Sequence, residues 1–470
     1  MSYSIQKSKY QWMIERAFIR LRKFIPLIQV LMLVALVALL IAPLFGSYPK
    51  FHWQTPLNNG QLFSEWVLWG LWYPGTLLSV LFVGRFWCGV LCPLGALSEW
   101  ASKVGAKFNP PKWVKHPLAP AVSFLIVTIW AQTLDVRDDL RTALLLFSII
   151  FALAIACGLL FGARTGVSRR VWCRHLCPIG SVLGVFSRLG VMSLESANKN
   201  QRVEGYRDQG LCPTSIELRS KQSARHCIKC ARCIKPNSRG GLTLELRQPA
   251  IEIEQIDNHA PCGSELAFIW FAPGLAISGF IWSSSPIYAQ FRQFIGEWAM
   301  NHQWMGVFTQ GPVWLMNQNP YIDQHYLWLD FLSISLFMLL FAIVMAIILG
   351  GLSLIGASIL KAEKPSSLSH RVTILGYQFA PLAMLCILLG LGSTLFSSLH
   401  SWLGHHLVVN IELVFVVISL AFNLFIAARW IRKNHISCWR RWANGLVITT
   451  GCFVLSTVTL WSIFPTFNLF

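Results

Sequence analysis

Acidic side chains are scarce in this sequence. Only 20 of its 470 residues are Asp or Glu, and all charged residues together make up 13%, about half the share of an ordinary soluble domain. That scarcity excludes a water-soluble enzyme and a disordered nucleic-acid binder. No C-x-x-C-H occurs, so covalent haem attachment is not expected. No small-residue cleavage site follows the first apolar run, which reads as a retained anchor rather than a signal peptide. Thirteen cysteines are too few to denote a small disulfide scaffold in a chain of this length, so their spacing carries the information.

What is abundant is apolar sequence, at 54% of residues. Runs of about 18–25 apolar residues form membrane-spanning helices, because backbone polar groups in lipid must pair within the segment. Nine such runs lie near 25–45, 66–84, 117–134, 142–162, 265–283, 327–352, 372–398, 407–428 and 444–465. The expected fold is an all-α polytopic membrane protein. With the N-terminus in the cytoplasm, only Lys50, Arg137, Arg141 and Arg292 fall outside, leaving 35 of the 39 basic residues inside, as the positive-inside rule requires. The net charge of +19 is then a record of orientation, and no nucleic-acid partner is expected. The C-terminus falls outside.

Three regions follow. Residues 1–188 hold four spans, residues 189–262 form a polar, basic, cysteine-rich cytoplasmic domain, and residues 263–470 hold five spans. In this last region an outer loop, 284–326, lacks a periodic pattern.

The first region contains a repeat. Residues 84–97, GRFWCGVLCPLGAL, and 169–182, RRVWCRHLCPIGSV, share seven of fourteen positions, including Arg85/Arg170, Cys88/Cys173, Cys92/Cys177, Pro93/Pro178 and Gly95/Gly180. Each copy follows an out-to-in span, which suggests a pseudo-two-fold axis along the membrane normal. Cysteines at i and i+4 share a helix face, and the proline suits the first turn of a new helix. Cysteine near a helix start and beside arginine favours the thiolate, the form that binds metal. Cys88, Cys92, Cys173 and Cys177 are therefore expected to meet as a second thiolate centre: a cluster, a copper site or a redox thiol pair.

In the cytoplasmic domain Cys227, Cys230 and Cys233 form C-x2-C-x2-C, an iron–sulfur signature. The fourth cysteine of a bacterial ferredoxin motif is replaced by Asn237, while Cys212-Pro213 stands alone upstream. In two-cluster ferredoxins the C-P cysteine of one motif ligates the cluster of the other. Cys212 thus completes one [4Fe–4S] set. Cys262 is a competing fourth ligand, and a four-cysteine zinc site is the alternative occupant.

These motifs, over residues 66–240, resemble the NapH/NosR group of membrane-bound iron–sulfur proteins. The resemblance implies a bacterial inner-membrane protein that exchanges electrons between the quinone pool and a redox partner, such as a periplasmic reductase, its maturation system or another membrane subunit. A quinol dehydrogenase-type subunit is the enzyme class it suggests. The alternative is an assembly factor that binds or reduces copper through the repeat cysteines, since soft thiolates suit Cu(I). In the C-terminal half, His325, His400, His405, His406, Asp330 and Glu412 are expected at the outer face. They are read as interfacial groups rather than haem ligands. A quinol site there would lie about 30 Å from the inner cysteines, so the quinone binds near the inner face or another cofactor intervenes.

Overall fold

The computed structural model describes residues 9–46, 48–49, 54–162, 169–196, 212–218, 221–234, 242–320, 324–360, 366–434 and 437–463. Lys50 and Asn237 lie outside the described residues. Eight described helices are long and apolar enough to cross a membrane: Ile25–Phe45, Gly60–Val83, Leu140–Leu160, Gly263–Ile281, Trp328–Leu360, Leu368–Leu391, His405–Asn434 and Cys438–Ile463. The protein is a multi-pass α-helical membrane protein.

The ninth expected span, 117–134, is shorter. It forms Ala119–Thr133, 15 residues, or about 22 Å at 1.5 Å per residue against a hydrocarbon core of about 30 Å. The helix is bounded by Pro117 before it and by Asp135, at φ 52°, after it.

The chain divides into two compact units that interleave along the sequence: Met1–Val37, Thr76–Ser123 and Ser148–Ala260 form one, and Ala38–Gly75, Phe124–Phe147 and Pro261–Phe470 the other. In the first unit the two repeat copies follow similar courses. Cys88 lies in the short helical segment Trp87–Leu91 and Cys173 in Val171–His175. The chain then turns out at Cys92 (ψ 115°) and Cys177 (ψ 120°), and helices Pro93–Lys103 and Pro178–Phe186 begin. The paired cysteines therefore do not share one helix face. Proline disfavours the helical conformation in the residue before it, so each second cysteine becomes the N-cap of the next helix. Cys92 N–H donates to Trp87 O at 2.8 Å and Cys177 N–H to Trp172 O at 2.9 Å, so the two loops close alike.

The cysteine-rich segment packs on a small two-stranded sheet whose strands it separates in sequence. Strand Met192–Ser196 pairs antiparallel with Leu242–Leu246, Leu194 opposite Leu244. Leu194, Leu242 and Leu244 form a core with Cys227, Cys233 and Ile234. Helix Lys9–Leu21 covers that core with Ile14, Phe18 and Ile19. Its spacing of apolar residues at i and i+4 is the helical signal that the basic character of the segment hides.

In the second unit, helix Leu368–Leu391 is buried among its neighbours from Arg371 to Gly390. Small residues let backbones approach: a Cβ on Gly390 would stand 2.6 Å from Ala276 O, and one on Gly274 2.4 Å from Phe341 O. The loop 284–326 is more ordered than its sequence suggests. It holds helix Pro286–Asn301, started by a Ser285 N-cap and a proline in the first turn, and a two-residue hairpin, Gln318–Asn319 with Gln324–His325.

Candidate metal centre

The repeat assembles by exchange between its copies. Arg85, from the first, donates to Cys173 O at 3.3 Å, and Arg170, from the second, donates to Cys88 O at 2.5 Å. Both guanidiniums are buried. The glycines shared by the two copies make room for them: a Cβ on Gly95 would stand 2.7 Å from an Arg170 nitrogen, and one on Gly180 3.3 Å from an Arg85 nitrogen. Arg85 also donates to Arg225 O at 2.7 Å.

The four repeat thiols lie in one another's field. Burial pushes Cys92 up to about 12, with Cys88 and Cys173 adding to the rise. Burial likewise pushes Cys173 up to about 11, while Arg170 and Arg85 oppose it. Cys177 is raised well above its ordinary value by burial, then by Cys173, Cys92 and Cys88. The thiolate expected from helix start and arginine is thus outweighed by desolvation and mutual repulsion. Coordination to a metal deprotonates a thiol outright. Two observations fit a negatively charged thiolate-held group here. Arg85 Nε and Arg170 Nη2 are buried donors with no hydrogen-bond partner among the described residues, and both guanidiniums lie within the field of the thiols.

The cysteine loop makes a second cage. One cavity is lined by Cys212, Cys227, Cys230 and Cys233 together, with Lys221, Lys229 and Leu194. Cys212 is anchored by Thr214, whose hydroxyl lies 3.2 Å from its sulfur and donates to His226 O. Lys229 (φ 55°) and Ala231 (φ 58°) are both left-handed, and the backbone N–H groups of Lys229 and Arg232 donate to the Cys227 and Cys230 sulfurs. Burial would raise Cys227, but Lys229 and Lys221 hold it below its ordinary value. Burial raises Cys230 to about 11 and pushes Cys233 higher still. Lys229 itself, buried and donating to Met192 O at 2.9 Å, is lowered to about 8, chiefly by burial. Among the described residues no three His, Cys, Asp or Glu side chains converge tightly enough for a single metal ion. Four cysteines around one cavity are the ligand number of a [4Fe–4S] cluster and equally of a four-cysteine zinc site.

The two sets adjoin. Gly89, between Cys88 and Cys92, packs on the cysteine loop so closely that a Cβ there would stand 2.0 Å from Ile228 O and 3.1 Å from Cys230 N. Glu99 ties the same parts together: it pairs with Arg170 at 2.6 Å and with Arg232 at 2.5 Å. Behind the loop, Glu252 accepts from Ala224 N–H at 3.0 Å and pairs with Arg247 and Arg188. Although burial alone would raise Glu252, these cations and the amide hold it below the ordinary carboxylate value. Sequence reasoning missed Glu99, and it tied arginine to the cysteines' charge without showing that Arg85 and Arg170 each bond the other copy.

The remaining residues are placed as follows. Cys262 caps helix Gly263–Ile281, its sulfur 3.2 Å from the Ser264 hydroxyl. Cys157, Cys386 and Cys452 are buried within helices and Cys438 is exposed. His325 lies 2.8 Å from Gln318 Oε1, and Asp330 accepts from Arg292 at 2.6 Å. His405 and His406 open helix His405–Asn434, which also carries Glu412. His400 lies on helix Ser393–Leu403, its side chain outside the described set.

Comparison with known proteins agrees with this chemistry. A family model described as "4Fe-4S binding domain" matches residues 65–111 and 142–195, one match around each repeat copy. Protein NirI of Paracoccus denitrificans is 28% identical over 43% of this chain and 30% of its own length. Regulatory protein NosR of Pseudomonas aeruginosa is 25% identical over 40% of this chain and 27% of its own. Ferredoxin-type protein NapH of Escherichia coli is 23% identical over 37% and 66%. The matched part of this chain thus spans less than a third of NirI and of NosR. No solved structure matches.

Proposed function

We propose that this chain, a NapH/NosR-like membrane protein with an iron–sulfur electron-transfer role, exchanges electrons between the quinone pool and a redox partner. That partner is a respiratory reductase, its maturation system or another membrane subunit. In this reading Cys212, Cys227, Cys230 and Cys233 hold a [4Fe–4S] cluster, and Cys88, Cys92, Cys173 and Cys177 hold a second thiolate centre. The cluster supplies one-electron storage when bound. The chain's own residues set its surroundings: Arg85 and Arg170 offset thiolate charge, Lys229 and Lys221 favour the Cys227 thiolate, and the sheet core excludes water. Hydrogen bonds and burial of this kind tune cluster potentials. The cysteine domain faces the cytoplasm of a bacterial cell and the C-terminus lies outside, as the distribution of basic residues supports.

The observation that carries the reading is the contact of Gly89 with the Ile228 carbonyl, which sets two four-cysteine groups side by side. Iron and acid-labile sulfide in anaerobically purified protein test it. About four irons per chain are expected from the loop set, lost on Cys227→Ala; a second set of about four would depend on Cys88 and Cys173. Bound copper in place of iron, lost on Cys173→Ala, would instead establish the copper assembly role.

A further inference from the structure

A second cavity in the first unit lies beside the cysteine cage and shares Cys230 with it. It measures about 360 Å³ and is lined by Ile25, Pro26, Gln29 and Trp100 together with the charged Arg22, Glu99, Lys103 and Arg232 and with Cys230. Its size is that of a small-molecule site. Ile25, Pro26 and Gln29 are the first turns of the spanning helix Ile25–Phe45, so the cavity stands where the hydrocarbon core meets the headgroups. Cys230 and Arg232 also line the cysteine cage. A molecule in this cavity is therefore separated from the cage only by the loop that supplies Cys230.

We infer that this cavity receives the head of a quinone from the bilayer. The inference rests on the electron-transfer reading above and adds the place of entry and the residues that hold the ring. Ile25, Pro26 and the Trp100 indole give flat apolar walls. The amide N–H of Gln29 is committed to Gly89 O at 3.0 Å, so Gln29 offers its amide oxygen to a ring hydroxyl. Arg232, paired with Glu99, places a cation in the cavity's lining. The arrangement removes the distance problem of an outer-face site: the ring and the cysteines occupy the same side of the membrane.

The test is photolabelling of the full-length protein in nanodiscs with an azidoquinone carrying a short apolar tail, mapped by peptide mass spectrometry. Label is expected on the segments that carry Ile25–Gln29 and Trp100–Lys103, and unlabelled quinone competes it away. Ile25→Trp fills the cavity and abolishes the label. Gln29→Leu weakens competition by up to about tenfold, the equivalent of one hydrogen bond. Arg22→Ala and Lys103→Ala change it less than about twofold, since a neutral quinone does not need them. Label confined to other segments overturns the inference. So does displacement by anionic phospholipid but not by quinone, with loss of binding in Arg22→Ala and Lys103→Ala, which would make the cavity a lipid site. Iron and sulfide measured on the same samples keep the two readings apart: retained iron without cavity label overturns this inference alone, and iron-free wild-type protein overturns the reading beneath it.

Discussion

Arg85 and Arg170 hold each other's repeat: each donates to the carbonyl of the other copy's first cysteine, and each occupies space left by the other copy's glycine. A duplicated motif is thereby converted into one structure, with the side chain of one copy completing the backbone of the other. Their remaining unpartnered N–H groups are buried beside the thiols.

The Glu99–Arg170 pair predicts an asymmetry between substitutions. Both side chains are buried, and removing one partner of a buried pair costs up to about 3–5 kcal/mol when the other charge is left behind; Glu99 keeps Arg232, so the loss falls below that bound. Arg170→Met should lower the melting temperature in detergent markedly, and the double substitution with Glu99→Gln should recover part of the loss. Equal melting of Arg170→Met and wild type would remove the pair from the account.

Glycine substitutions test the contact between the two cysteine sets. Gly89→Ala forces a carbon against the Ile228 backbone, where no flexible side chain can yield. It should displace the loop and reduce bound iron. Gly263→Ala, which meets nothing within 4 Å, serves as the control. Iron content unchanged in Gly89→Ala would contradict the close packing.

Cys212 and Cys262 separate two assignments of the fourth ligand. Cys212 lines the cage with the triplet, and Cys262 sits at a helix cap. Cys212→Ala should lose the cluster signal in electron paramagnetic resonance, and Cys262→Ala should keep it. The reverse pattern would transfer the ligand role to Cys262.

Acid should loosen the support of the loop through Glu252. Its carboxyl is held below the ordinary value by Arg247, Arg188 and Ala224 N–H against the effect of burial. A folded-state value below the unfolded one means full stabilisation above the unfolded value, near 4.5, and loss as pH falls through the folded one. Melting temperature should therefore fall more steeply with acid in wild type than in Glu252→Gln. Parallel curves would show that Glu252 contributes nothing to the acid response.

The spans and the cysteine sets were legible because each rests on a local pattern: apolar length for the helices, fixed spacing for the cysteines. Ala119–Thr133 fell short of its apolar run because Pro117 and Asp135 bound the helix, although its neighbours Leu118 and Leu134 are themselves apolar. The basic stretch before the first span hid a helix whose Ile14 and Phe18 cover the cysteine core, since charge on one face masks apolar spacing on the other. The thiol protonation state was misread because burial and the mutual repulsion of four sulfurs depend on contacts between residues 85 positions apart. The arginine exchange was not legible for the same reason: identity in a repeat says that Arg85 and Arg170 do the same thing, not that they do it to each other.

The most direct test of the central claim is reduction of the anaerobically purified protein by a quinol, followed by electron paramagnetic resonance. An iron–sulfur signal should appear on quinol addition and be missing in Cys227→Ala. Protein that carries copper instead of iron, with no spectral response to quinol, would contradict it.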